Sequence, residues 1–248
     1  MKRYLALLWL MLPLPLVVLH FSRGQKWLEI DEARVLVIQG EDAEKEGDWE
    51  AADSAYREAA RLVATEKPDL KLRLDLAQVR TRFRKGEAVE AIDLSEALVN
   101  DPSFRAMPGE FREEARELAG RIHYYAAWVM RLEGASRELW MEEAELARQN
   151  YRLLVEEFDH GGKPANGSEP AAHQKDLESA VQLQRLSLTE LMARPLPKEG
   201  QCMACQGLSE QMAKRRGQRG KKPGVGPMRE GPPDKGAGLD RFKPGSGS

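Results

Sequence analysis

The sequence predicts an all-α protein built from stacked helical hairpins. Three observations predict it. From Trp27 to Phe158 apolar residues recur at helical spacing, with almost no strand-like alternation. The interruptions fall at Gly, Pro or Asp, the residues that end helices or start new ones. The order long helix, glycine turn, long helix, break then occurs three times, with turn glycines Gly47, Gly86 and Gly134. Composition agrees: 31% charged against 6% aromatic residues suits surface-rich helical layers better than a thick enzyme core.

The first segment is a targeting signal. Lys2 and Arg3 precede a run that is apolar from Tyr4 to Phe21 apart from Pro13, Pro15 and His20. A basic start and an apolar stretch of that length fit a signal anchor or a signal peptide over residues 1–24. The anchor is favoured, because no small-x-small cleavage site follows Leu19 and no lipobox cysteine is present. The run is near the lower length limit for crossing a bilayer. With Lys2 and Arg3 held in the cytoplasm, residues from about Gln25 onward are expected outside it.

The hairpins follow. A first helix is expected from Trp27 to Glu46, and a second from Trp49 to Glu66 after Gly47-Asp48. Lys67-Pro68-Asp69 reads as a stop and a start, with Asp69 as N-cap of a third helix over Leu70–Lys85. A fourth covers Glu87–Val99, ending at Asn100-Asp101-Pro102; a fifth covers Gly109–Leu132 and a sixth Ser136–Glu157. Residues 159–170 read as a polar loop. An additional helix is expected over residues 171–194, with Leu177, Val181, Leu188 and Met192 along one face.

From Pro195 onward periodicity stops. Residues 195–248 hold 11 of the 21 glycines, 7 of the 14 prolines, 11 basic and 5 acidic residues. That tail carries +6, which leaves −8 on the rest of a chain whose net charge is −2. Such a composition buries too little apolar surface to offset chain entropy, so the tail is expected to be disordered.

Gly40, Ala43, Gly47, Trp49, Ala52, Tyr56 and Ala59 together resemble a tetratricopeptide repeat. Gly86 and Ala91, in "GEAVEAIDLSEALVNDP", supply a partial second copy, with Val79 where a small residue is expected and Ser95 where an aromatic is usual. A looser third copy pairs "AAWVMRLEGA" with "EAELARQNYRLL", and about eight extra residues separate Gly134 from Ala147. The resemblance spans Ala33–Phe158 within a repeat domain at residues 27–158, and it implies a short α-solenoid that binds peptides or protein surfaces.

On the third helix Leu72, Leu76, Val79 and Phe83 form an apolar stripe, and Arg73, Arg80 and Arg84 run beside it. In a tetratricopeptide-like array this helix would line the concave groove, where guanidinium groups suit an acidic peptide or a terminal carboxylate. These three arginines are the groove candidates; the alternative is a solvated basic face.

Little else carries chemistry. Cys202 and Cys205 form the only cysteine pair. Zinc would need two more ligands, haem attachment a histidine where Gln206 stands, and a thioredoxin-type site a strand–helix setting. A local disulfide or free thiols fit an exported chain. His123 reads as a packed helix residue rather than a base. No phosphate loop, GxSxG or HExxH occurs. The basic run Ala213–Gly224 lacks interleaved aromatics, which disfavours stacking on nucleic acid; anionic headgroups or an acidic partner suit it better.

The expectation is therefore a non-enzymatic adaptor without cofactor or metal. It would be held in a bacterial inner membrane through residues 4–21, with its bulk periplasmic and protein as its partner. The alternatives are a redox or metal-linked accessory protein using Cys202 and Cys205, and a nucleic-acid binder using the tail.

Overall fold

The protein's structure is a computed structural model that describes residues 25–64, 67–159, 170–193 and 207–219. Every regular element among them is helical. The order is α1 (Gln25–Glu46), α2 (Trp49–Val63), α3 (Pro68–Lys85), α4 (Ala88–Val99), a 3-10 turn (Phe104–Ala106), α5 (Gly109–Leu132), α6 (Arg137–Asp159), α7 (Pro170–Arg185), α8 (Leu188–Met192) and α9 (Leu208–Arg219). From α1 to α7 each helix packs chiefly on its neighbours in sequence. Helices α1/α2, α3/α4 and α5/α6 form three successive hairpins.

The three turns are built alike. Gly47, Gly86 and Gly134 have φ of 77°, 92° and 73°. At Gly47 and Gly134 an added Cβ would meet nothing within 4 Å, so the left-handed backbone, rather than crowding, calls for glycine. The residue after each glycine donates its N–H to the carbonyl five residues back: Asp48 to Ala43 at 2.9 Å, Glu87 to Arg82 at 3.0 Å and Ala135 to Met130 at 2.9 Å.

Below the turns, two hairpins share one packing contact. In the first, Gly40 of α1 faces the ring of Tyr56 on α2, and a Cβ at Gly40 would lie 2.6 Å from that ring. In the third, Gly120 of α5 faces Tyr151 of α6, where a Cβ would come within 2.8 Å. Ala52 and Ala147 each lie four residues before the tyrosine, and both are fully buried. Gly40 stands 7 residues before its turn glycine and Gly120 stands 14; Tyr56 stands 9 after and Tyr151 stands 17. At 3.6 residues per turn, each arm of the third hairpin is longer by about two turns. The second hairpin places Val79 and Ser95 at the spacings of Gly40 and Tyr56, and both are buried. Bulk has moved from the second helix to the first.

A longer third hairpin would leave its upper half bare, and the later helices cover it. Leu183 of α7 and Leu191 of α8 are fully buried and join a cluster with Ala127, Trp128 and Ala144. On the other side Leu208 and Met212 of α9 enter the largest cluster, beside Ile92, Tyr125, Met130 and Leu139. Arg131 anchors α7 by donating to the carbonyls of Leu183 and Leu186, while its guanidinium lies 4.5 Å from the centre of the Trp140 ring.

Residues 208–219 form a helix, although composition assigns them to a disordered tail; the amphipathic spacing of Leu208, Met212 and Arg215 was masked by flanking Gly and Lys. The additional helix is broken at Leu186–Ser187, where Ser187 and Glu190 make a capping box. The break resets the helical phase, so Leu188 and Met192 are exposed and Leu191 faces inward. Lys67 rather than Asp69 occupies the N-cap of α3, with Pro68 in the first turn. The signal segment 1–24 and the Cys202–Cys205 pair lie outside the described residues, and no helix among those described is long and apolar enough to cross a membrane.

Candidate functional site

The three arginines expected to line a groove sit on one face of α3, and each is held by a neighbour. Arg80 forks onto Glu44 of α1, with both bonds at 3.2 Å, and reaches Glu114 of α5 at 3.4 Å. It ties the first helices of all three hairpins together. Arg73 lies over the Phe111 ring at 5.6 Å and Arg84 over the Trp49 ring at 6.0 Å. Arg73 and Arg84 remain exposed, so they present charge to solvent while packing on aromatics. The packing residues Ala52, Tyr56, Ala59 and Ala91 are buried, as is Gly40; Trp49 and Ala43 are half-buried. Burial pushes the Tyr56 phenol up to about 12, so it stays a neutral packing group at physiological pH.

Hairpins one and two meet over a buried carboxylate. Asp53 of α2 accepts from Arg57 at 2.6 Å and from Arg82 of α3 at 3.0 Å, and Lys85 lies 3.8 Å away. Charge compensation of this kind is what permits a carboxylate to be buried.

A second buried network, not legible in the sequence, joins α4, α5, α6 and α9. His123 of α5 lies 2.6 Å through Nδ1 from Glu143 of α6, and both side chains are almost fully buried. Arg215 of α9, itself 9% exposed, approaches the other Glu143 oxygen at 3.6 Å. It also donates to Asp93 at 2.7 Å and to Glu96 at 2.9 Å. At the start of α9, the Glu133 carboxylate accepts from the backbone N–H groups of Gly207, Leu208 and Ser209 at 2.8, 3.1 and 2.7 Å. That is a helix cap supplied from another element.

Beside this network a cleft of about 460 Å³ opens between the end of α4, the 3-10 turn, α5 and α6. Val99, Phe104, Leu146 and Leu153 give it apolar walls, and Arg105, Arg116 and Asn150 give it polar ones. Glu96 and His123 line it too, so it begins where the Arg215 network ends. Arg116 is half-buried, with its guanidinium 5.3 Å from the centre of the Phe104 ring. Burial, reinforced by Arg112 and Arg105, pulls its pKa below the usual arginine value. A second buried pair, His173 of α7 and Glu113 of α5 at 3.1 Å, fastens α7 to α5 and lines no part of the cleft.

His123 is thus a buried, acid-paired residue at a cleft wall. Its partner comes from 20 positions along the chain on another helix, and Arg215 from 72 further on. No spacing rule connects the three. Gly120 carries a sequence signal of its own: a glycine inside a helix, 31 residues before a tyrosine. Among the described residues no group of three or more His, Cys, Asp or Glu side chains is arranged to hold a metal. No protein-family model, curated protein or solved structure matches this chain.

Proposed function

We propose that this chain is a membrane-tethered, extracytoplasmic adaptor: a short tetratricopeptide-like array that holds a protein partner in a bacterial envelope assembly. The observation that carries the reading is the recurring Gly–Tyr contact, Gly40 with Tyr56 and Gly120 with Tyr151, under turns with the same hydrogen bonds. Repetition of one hairpin design supports a solenoid, and solenoids bind through extended surfaces. Helix α9 adds support, because a groove between hairpins already accommodates a helix with apolar and charged anchors. So does α1, where Trp27, Leu28, Val35 and Ile38 remain exposed directly after the apolar stretch. Arg73 and Arg84 are the cationic contacts offered on the face of α3.

The test joins topology to contact. Alkaline phosphatase fused at residue 248 should be active, and a photo-crosslinker at Val35 or Arg73 should trap one discrete protein in membranes. The same crosslinker at the exposed Gln174 of α7 should trap none. A fusion inactive in the periplasm, or identical products from all three positions, overturns the adaptor reading.

A further inference from the structure

We propose that the cleft between α4 and α6 is a binding site for a small organic carboxylate, with Arg116 as its anchor and Arg215 of α9 as the group that keeps the site receptive. The site is distinct from the α3 face and stands independently of the adaptor reading.

Arg116 is half-buried, and its face is stacked on Phe104. No carboxylate makes a salt bridge with it among the described residues. The acid that acts on it most, Glu157, is bonded to Arg112 instead. Arg105, on the same rim, is exposed and repels it. Two guanidinium groups therefore meet in one concavity, and among the described residues neither makes a salt bridge to a carboxylate. A guanidinium held over a ring keeps its edge free, and that edge matches a carboxylate with two parallel hydrogen bonds. Asn150, whose Nδ2 donates to the Leu146 carbonyl, adds a fixed polar side chain on the opposite wall.

The walls set the rest of the ligand. Val99, Phe104, Leu146 and Leu153 offer apolar surface next to the cation, and the volume of about 460 Å³ lies in the range of small-molecule sites. A carboxylate on a compact apolar or aromatic body satisfies both. The basic stretch after Arg219, with Lys221 and Lys222, has the wrong charge to fill it.

The acidic wall explains Arg215. Glu96 lines the cleft, and Glu143 stands behind His123. Left alone, these carboxylates would repel an anion. Arg215 binds Glu96 at 2.9 Å and sits 3.6 Å from Glu143, cancelling charge from the side away from the ligand. Asp101, the remaining acid of the lining, is turned onto the Ser103 N–H at 2.7 Å. Docking of α9 and filling of the cleft are thereby coupled, although α9 does not line the cleft.

The test uses the full chain in lipid nanodiscs and 4-fluorobenzoate as probe, followed by fluorine NMR against empty nanodiscs. Saturable one-to-one binding is expected. Arg116→Gln should weaken it on the order of tenfold or more, the scale of a charged hydrogen-bond pair. Arg116→Lys, which keeps the charge but loses the fork, should fall between the two. Arg215→Gln should weaken binding about threefold through the uncancelled acids, and adding Glu96→Gln to it should recover part of the loss. A purely structural role for Arg215 predicts no such recovery. The proposal is overturned by non-saturable signal alone, by unchanged affinity in both Arg116 variants, or by equal binding of 4-fluorobenzylammonium. Displacement of the probe by inorganic phosphate at lower concentration than by benzoate would reassign the site to phosphate.

Discussion

The first and third hairpins use one lock at two lengths. In α1/α2 the Gly40–Tyr56 contact lies close below its turn; in α5/α6 the Gly120–Tyr151 contact lies about two turns deeper. The third hairpin is longer by seven residues before the turn and eight after it, so both arms differ by nearly whole turns and the lock keeps its facing. In these two hairpins the contact keeps its geometry while its distance from the turn differs. The short hairpin hands its buried acid, Asp53, to Arg82 on the next hairpin. The long one has surface left over. It buries that surface under α7, α8 and α9, and hands Glu143 to Arg215 from the far end of the chain.

The comparison breaks most severely at the alanines beside each tyrosine. Ala52→Arg and Ala147→Arg each drive a charge into a fully buried contact, and each should lower the unfolding free energy measured by urea denaturation by about 3–5 kcal/mol. If Ala147→Arg were tolerated while Ala52→Arg was not, the two locks would not be equivalent. Next come the glycines. Gly40→Ala and Gly120→Ala place a methyl within 2.6 and 2.8 Å of a ring, at an expected cost of about 1–3 kcal/mol each. The tyrosine must shift in either variant, so circular dichroism near 280 nm should change alongside stability. Smaller effects are expected at the turns. Gly47→Ala and Gly134→Ala meet open space but force a positive φ, for a loss of about 1 kcal/mol. A loss equal to that of the lock glycines would show that the turn, too, is fixed. The smallest change separates the hairpins in kind. Glu133→Gln weakens the cap on α9 by about 0.3–1 kcal/mol. Its effect should appear as faster amide exchange confined to residues 207–212, with α1 and α2 unchanged.

Helix class and most boundaries were legible because apolar period, glycine turns and proline stops agree over long segments. The expected span of α5, Gly109–Leu132, is the observed one, and α4 begins one residue later than expected. Three kinds of feature escaped. Gly120 was hidden because the third copy was aligned on its turn rather than on its lock. The phase change at Ser187 was hidden because Leu188 and Met192 continue a plausible stripe across a two-residue break. Helix α9 was hidden because its fixing residues, Leu208, Met212 and Arg215, gain their meaning from Glu133, Asp93 and Glu143 far upstream. Arg73, Arg80 and Arg84 all lie on α3. Their ring and carboxylate neighbours come from other helices, which no local pattern reports.

The bond from Arg215 back to Asp93 spans 122 residues and turns the middle of the molecule into a closed loop. An open row of repeats can peel from either end, one unit at a time. Here the carboxyl-terminal side cannot peel until α9 lets go, because α4 through α8 lie inside the loop. The amino-terminal hairpin lies outside it and has an exposed apolar flank. Unravelling is therefore expected to be directional, starting at α1 and reaching the ring from Asp93 to Arg215 last.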